Sequence, residues 1–310
     1  MTPLSDEQAG FVVDQPVRTD VAVPPPPRTR PAWLQVLISF VIWLLSVAML
    51  AFIPVVVALP YVIYKMVYVG PINPQALATD KTLIFLSILG ILPSHVLTLG
   101  LVWLFVTEGR RRPFFDTIGF RWPRDTSPTY GTMLCILLAL ALLAIGWAVT
   151  TVWGGNKTQL DLMVESSMAA RVVTALVAVV TAPLVEELIY RGVMYSALER
   201  AGGKIIAILV VSLLFAGVHV FQYSNNIAVI VVITILSFTL TFARAYTGSV
   251  VPPFIIHLVF NGIQSLFIVL APFLDKDLLQ KSEEITPTTP GLELPGRLFE
   301  TIAAYVCRMT

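Results

Sequence analysis

Of 310 residues, 56% are hydrophobic and only 13% charged, and the mean hydropathy is +0.82. A soluble domain carries about 25% charged residues, so this composition excludes an ordinary soluble globule and places the chain in the membrane class. A net charge of +1 gives no case for a nucleic-acid partner, and two cysteines, Cys135 and Cys307, offer neither a disulfide framework nor a metal-binding spacing.

The chain opens on a polar segment, 1–32, that ends in Val23-Pro24-Pro25-Pro26-Pro27-Arg28-Thr29-Arg30-Pro31. Consecutive prolines bar a helix and favour an extended, solvated coil, so this is expected to be a disordered tail. No basic segment followed by a short apolar core opens the chain, and no cleavable signal peptide is expected. Seven apolar stretches follow: Trp33–Tyr68, Thr82–Thr107, Tyr130–Trp153, Val172–Ala197, Ile205–Phe221, Ile227–Ala243 and Val250–Phe273. Most match the roughly 17–25 residues that cross the hydrocarbon as a helix, where backbone groups must be satisfied internally. The expected fold is therefore all-α, a polytopic transmembrane bundle of about seven to eight helices over 33–273. The first stretch is too long for one upright helix, and Pro54 and Pro60 are expected to kink or break it. Gly202-Gly203 reads as a turn between the fourth and fifth stretches. Beyond 273 the tail, 274–310, is polar, and Leu298, Phe299, Ile302, Tyr305 and Val306 recur at the spacing of an interfacial helix. Cys307 stands fourth from the end, where a prenylated cysteine would stand, but Arg308 and Met309 follow it in place of aliphatic residues.

Loop charges orient the bundle. Arg110, Arg111, Arg112, Arg121, Arg124, Arg200, Lys204 and Arg244 lie between spans on one side, against Lys65, Lys81, Lys157 and Arg171 on the other. The eight-to-four excess makes the first side cytoplasmic.

Ionisable groups inside the spans cluster late: Glu186, Glu187 and Arg191 in the fourth, His219 in the fifth, His257 with Asn261 in the seventh. An Arg or Asp placed in hydrocarbon costs roughly 2.5–3.5 kcal/mol, so these side chains are expected to face the interior and are functional candidates. Glu187 and Arg191, four apart, share a helix face and can pair. Glu186 is rotated by about 100° from Glu187 and cannot point at the same arginine, which leaves one carboxylate for chemistry. Glu186 lies 17 residues before Gly203 and His219 lies 16 after it, so a hairpin brings both to one level. His257 and Asn261, counted from Gly248, lie about 14–20 Å up instead of about 24–26 Å, a gap that a longer protrusion of the Ser196–Lys204 hairpin would close. His95, without an acidic neighbour, reads as structural.

These residues occur as Glu186-Glu187-Leu188-Ile189-Tyr190-Arg191, Phe215-Ala216-Gly217-Val218-His219 and His257-Leu258-Val259-Phe260-Asn261. The ordered set EExxxR, FxxxH and HxxxN, on separate apolar spans, resembles the CPBP family of CAAX prenyl endoproteases and bacteriocin-processing proteins, also called Abi. The resemblance covers about 170–270, within a catalytic core of 167–270. It implies a metal-independent intramembrane endopeptidase that acts on a peptide, prenylated or otherwise membrane-associated. Glu186 and His219 would activate a water, His257 and Asn261 would stabilise the oxyanion, and Glu187 and Arg191 would support the geometry. Phe215 reads as packing around the site. No HExxH or GxSxG motif is present. Zinc held by Glu186, His219 and His257 is a rival with suitable ligand types. A proton-coupled transporter and a catalytically silent immunity or scaffold protein remain open alternatives. The expected location is a bacterial inner membrane.

Overall fold

The computed structural model describes residues 30–284 except 72, 155–156 and 224–225. The proline-rich segment expected over 1–32 falls almost wholly outside the described residues, as does the interfacial helix expected near 298–306. Among the described residues the structure is helical, with no strand. In chain order the helices are α1 (Ala32–Tyr68), α2 (Pro74–Ala78), α3 (Lys81–Leu89), α4 (Ile91–Val106), α5 (Phe114–Ile118), α6 (Pro128–Trp153), α7 (Gln159–Ser166) and α8 (Met168–Leu176). There follow a π-helical segment (Val177–Thr181), α9 (Ala182–Glu186), a second π-helical segment (Glu187–Met194), α10 (Tyr195–Gln222), α11 (Ile227–Thr247) and α12 (Val251–Glu284).

Helix starts carry the expected chemistry. Asp80 accepts from the Thr82 and Leu83 N–H groups at 2.9 and 3.0 Å at the head of α3, and Asn226 accepts from Val229 N–H at 3.2 Å at the head of α11. Thr158 and Asp161 cap α7 reciprocally. Gly248 closes α11 in the left-handed conformation that glycine adopts without strain.

Six continuous helical stretches are long and apolar enough to cross a membrane: Ala32–Tyr68, Lys81–Val106, Pro128–Trp153, Met168–Val220, Ile227–Thr247 and Val251–Phe273. The fourth is two legs. Gly203 has φ 83° and ψ 172°, outside helical geometry, and the rings of Tyr190 and Phe215 stand 5.1 Å apart. A straight helix would separate those residues by about 37 Å, so the chain doubles back at Gly203 and seven legs result. Large apolar side chains such as Phe52, Val56, Leu137, Leu213 and Phe242 face outward, as suits lipid tails rather than water. The chain is an integral, multi-pass membrane protein.

Of the kink or break expected at Pro54 and Pro60, the break does not occur: α1 runs unbroken for 37 residues with both inside, about 55 Å, longer than the hydrocarbon is thick. A neighbour supports the helix there. A Cβ on Gly90 would lie 2.5 Å from Pro54 Cα, so only glycine lets the junction of α3 and α4 sit against it, and Ser94 Oγ donates to Met49 O at 3.1 Å. The seventh leg continues as helix past its apolar stretch, into the polar tail as far as Glu284.

The interior holds two apolar clusters. One gathers Val185, Leu188, Ile189, Met194, Tyr195, Val211 and Phe215 against Ile42 of α1 and Val102 of α4. The other joins α6, α11 and α12 through Ala139, Leu142, Leu236, Leu240, Ile256 and Phe260. Arg191 of the fourth leg bonds across to Ser237 and Thr241 of α11.

Candidate active site

Two π-helical segments flank α9, the short helix that ends at Glu186. π-helical turns commonly mark functional sites, and Pro183 accounts for the first. Ala182 N–H bonds to Val177 O across the wide turn, and the next donor in line, Pro183, has no N–H. The carbonyl of Ala178 is thus left without a backbone donor, and Asn261 Nδ2 fills it at 3.0 Å. The second segment repeats the pattern. Tyr195 N–H bonds to Tyr190 O, bypassing Arg191 O, which Arg244 Nε serves at 2.9 Å instead.

Glu187 and Arg191 are both fully buried and paired, Nη1 to Oε1, at 2.9 Å. Arg191 spends its other donors on α11: Nη2 reaches Ser237 O and Oγ at 3.0 and 3.2 Å, and Nε reaches Thr241 Oγ1 at 3.3 Å. Its guanidinium also lies 4.6 Å from the centre of the Phe215 ring, a cation–π contact. The same Glu187 oxygen accepts from His257 Nδ1 at 2.9 Å, whereas Oε2 has no hydrogen-bond partner.

Glu186 differs in every respect. Its side chain is 25% exposed, and Oε2 stands 3.7 Å from His257 Nε2, beyond hydrogen-bonding range. The imidazole of His257 therefore sits between two consecutive carboxylates, bonded to one and facing the other. This contact also fixes depth: His257 is level with Glu186, so the hairpin turning at Gly203 projects farther than the turn at Gly248.

His219, half-buried on α10, donates through Nδ1 to Phe215 O at 2.8 Å. A carbonyl only accepts, so in the neutral ring Nε2 is unprotonated and available as an acceptor. The ring lies 4.7 Å from Phe215 and stacks on Tyr223 at 6.4 Å with only 5° between the planes. Phe215 is the hub of the site: Tyr190, Arg191, His219 and His257 all contact its ring.

Glu186, Glu187, Arg191, Phe215, His219 and His257 are thus gathered at one place. Asn261 is one turn from His257 on α12 and commits one amide hydrogen to Ala178 O, eight residues before Glu186. His95 lies apart, buried, with Nδ1 against Thr181 Oγ1 at 2.8 Å. Among the described residues no three His, Cys, Asp or Glu side chains approach closely enough to hold a metal ion.

Two participants were missed in the sequence. Tyr190 accepts from Trp43 Nε1 of α1 at 2.9 Å, and its hydroxyl remains free to donate. Tyr223 is buried, with its ring stacked on that of His219. It stands four residues after His219, a helical spacing that would have flagged it.

Residues 168–263 match a family model described as Rce1-like, type II CAAX prenyl endopeptidase. That segment contains every site residue named above except Trp43 and His95, and none of α1 to α7. No curated protein and no solved structure matches the chain. The matched segment, about a third of the chain, carries the three motifs in order, and over residues 168–263 the chain is similar to the CPBP/CAAX proteases.

Proposed function

We propose that this chain is an intramembrane endopeptidase that hydrolyses a peptide bond with a water activated by Glu186 and His219. Its substrate is a membrane-associated peptide, a prenylated CAAX sequence foremost, and a bacterial inner membrane is its proposed home. One observation supports the reading above others. Of two adjacent carboxylates, Glu187 is buried and bonded, whereas Glu186 is accessible and faces a histidine nitrogen at 3.7 Å.

In this reading, Glu186 takes a proton from the water as its oxygen attacks the scissile carbonyl, and His219 Nε2 accepts the water's second hydrogen bond. The new C–O bond leaves charge on the former carbonyl oxygen. His257 Nε2, when protonated, and the uncommitted amide hydrogen of Asn261 donate to it, and each such donor contributes about 3–4 kcal/mol in comparable oxyanion sites. Collapse breaks the C–N bond, and Glu186 delivers its proton to the departing amine. Glu187 and Arg191 act by holding His257, the first through Nδ1 and the second through Glu187.

The test is incubation of the full chain in detergent with farnesylated and unlipidated peptides, with and without chelator, read by mass spectrometry. Cleavage should survive chelation. Glu186→Gln should lower kcat by about a thousandfold or more with little change in thermal unfolding, because the Glu186 carboxylate is partly exposed and makes no close contact. Cleavage retained by Glu186→Gln removes the assignment, and loss on chelation transfers it to the zinc arrangement.

A further inference from the structure

The helix α8, with the π-helical segment that continues it, is tied to α12 by two bonds of one kind. Arg171 Nη1 donates to Ile268 O at 2.6 Å, a carbonyl whose helical donor would be residue 272, a proline. Asn261 Nδ2 donates to Ala178 O at 3.0 Å. The two anchors are seven residues apart on each helix and run in opposite directions, so the helices are antiparallel and their register is fixed.

That register sets two side chains opposite each other. Thr174 is three residues above Arg171, and Gln264 is four from Ile268. At about 1.5 Å per residue their levels agree within about 2 Å. Both are more than nine-tenths buried, and neither Thr174 Oγ1 nor Gln264 Nε2 has a hydrogen-bond partner. A buried polar atom left unpaired costs about 1–3 kcal/mol, and two on facing helices form the polar setting in which proteins hold internal water. Gln264 also continues a stripe on α12: His257, Asn261, Gln264 and Ile268 recur at helical spacing. The stripe runs from the Arg171 anchor to the imidazole beside Glu186.

We propose that the seam between α8 and α12 is a water-binding site, lined by Thr174, Gln264 and Asn261, that supplies water to Glu186. The supply role rests on the hydrolytic reading above, while the binding site does not. Each hydrolysis consumes one water, which must reach a site walled by apolar helices. The seam provides donors and acceptors at successive turns along the way.

Two measurements separate the claims. In full-length protein carrying Cys135→Ala and Cys307→Ala, Thr174→Cys and Gln264→Cys are exposed to a small water-soluble methanethiosulfonate. Leu266→Cys, on the outward face of α12, is the control. Both seam cysteines should react about tenfold or more faster than the control, because a thiol ionises only where water reaches it and Leu266 faces lipid tails. If neither outpaces the control, the seam is dry and the proposal falls. With a farnesylated CAAX peptide as the probe, Thr174→Val combined with Gln264→Leu should lower kcat about tenfold at unchanged KM, and Thr174→Ser should retain it. A wet seam with unaltered kcat in the double variant overturns the supply role. If the parent protein cuts no peptide, the protease reading fails while the labelling result still decides the water site.

Discussion

A buried guanidinium must find acceptors for its N–H groups, and Arg191 makes four such bonds, to its own leg and to α11. Glu187 lies one turn away on its own leg, and Ser237 and Thr241 wait on α11. Removing one partner of a buried pair leaves an uncompensated charge and costs about 3–5 kcal/mol. Arg191→Leu is therefore expected to lower the thermal unfolding midpoint in detergent sharply, and adding Glu187→Gln should recover part of the loss. Equal midpoints for the single and double variants would show that the pair is not coupled. The four-residue spacing of this pair was legible, because helical neighbours are fixed by periodicity. Ser237 and Thr241 were not, since small hydroxyl residues are common in apolar spans and nothing in their local pattern names a partner 46 or 50 residues away.

At the scale of elements, close approach replaces charge. A Cβ on Gly192, inside the second π-helical segment, would lie 2.5 Å from Ile118 Cγ1 of α5. Gly192→Ala should lower the unfolding midpoint and the activity together, and Gly192→Ala with Ile118→Ala should restore much of both. Failure of the second substitution to rescue would place the strain elsewhere. The head of α3 carries a pH-dependent contribution. Burial alone would push the Asp80 carboxyl up, but Lys65, the Leu83 N–H and Tyr61 outweigh it and hold it below the usual range. A lowered folded value stabilises above the unfolded value and is lost as pH falls through the folded one. The midpoint difference between the parent and Asp80→Asn should thus stay constant from neutral pH to about 5 and shrink below about 4, as a series of melting curves would record. Hydropathy marked where each leg begins, yet it assumed one helical period throughout. The wide turns were illegible for that reason, although Pro183, three residues before Glu186, signalled a disturbed ladder.

For the molecule as a whole, the seven apolar stretches correspond to seven legs, because transfer from water leaves a composition signal that survives any detail of packing. What hydropathy could not rank was length. The hairpin at Gly203 outreaches the turn at Gly248, and only the contact of His257 with Glu186 reveals it. Alternating legs place Arg111 and Lys204 on one side and Lys157 on the other. An impermeant thiol reagent added to sealed, oriented vesicles of the cysteine-free protein should label Arg111→Cys and Lys204→Cys from one face and Lys157→Cys from the opposite one. The excess of Lys and Arg predicts that the first face is cytoplasmic, and labelling of all three from one side would contradict the seven-leg topology.

The wide turns before and after α9 have one more consequence. Each spends a surplus residue for the height gained, so the fourth leg holds slack that a regular helix of the same span lacks. Deleting one of Val177, Val179 or Val180 would let an ordinary ladder close up over the same turn, because a wide turn and an ordinary one differ by about one residue for nearly the same rotation. Arg171 would keep its place against α12. An anonymous run of small apolar residues thus holds one residue in reserve, and its loss is met by the turn closing rather than by the anchors moving.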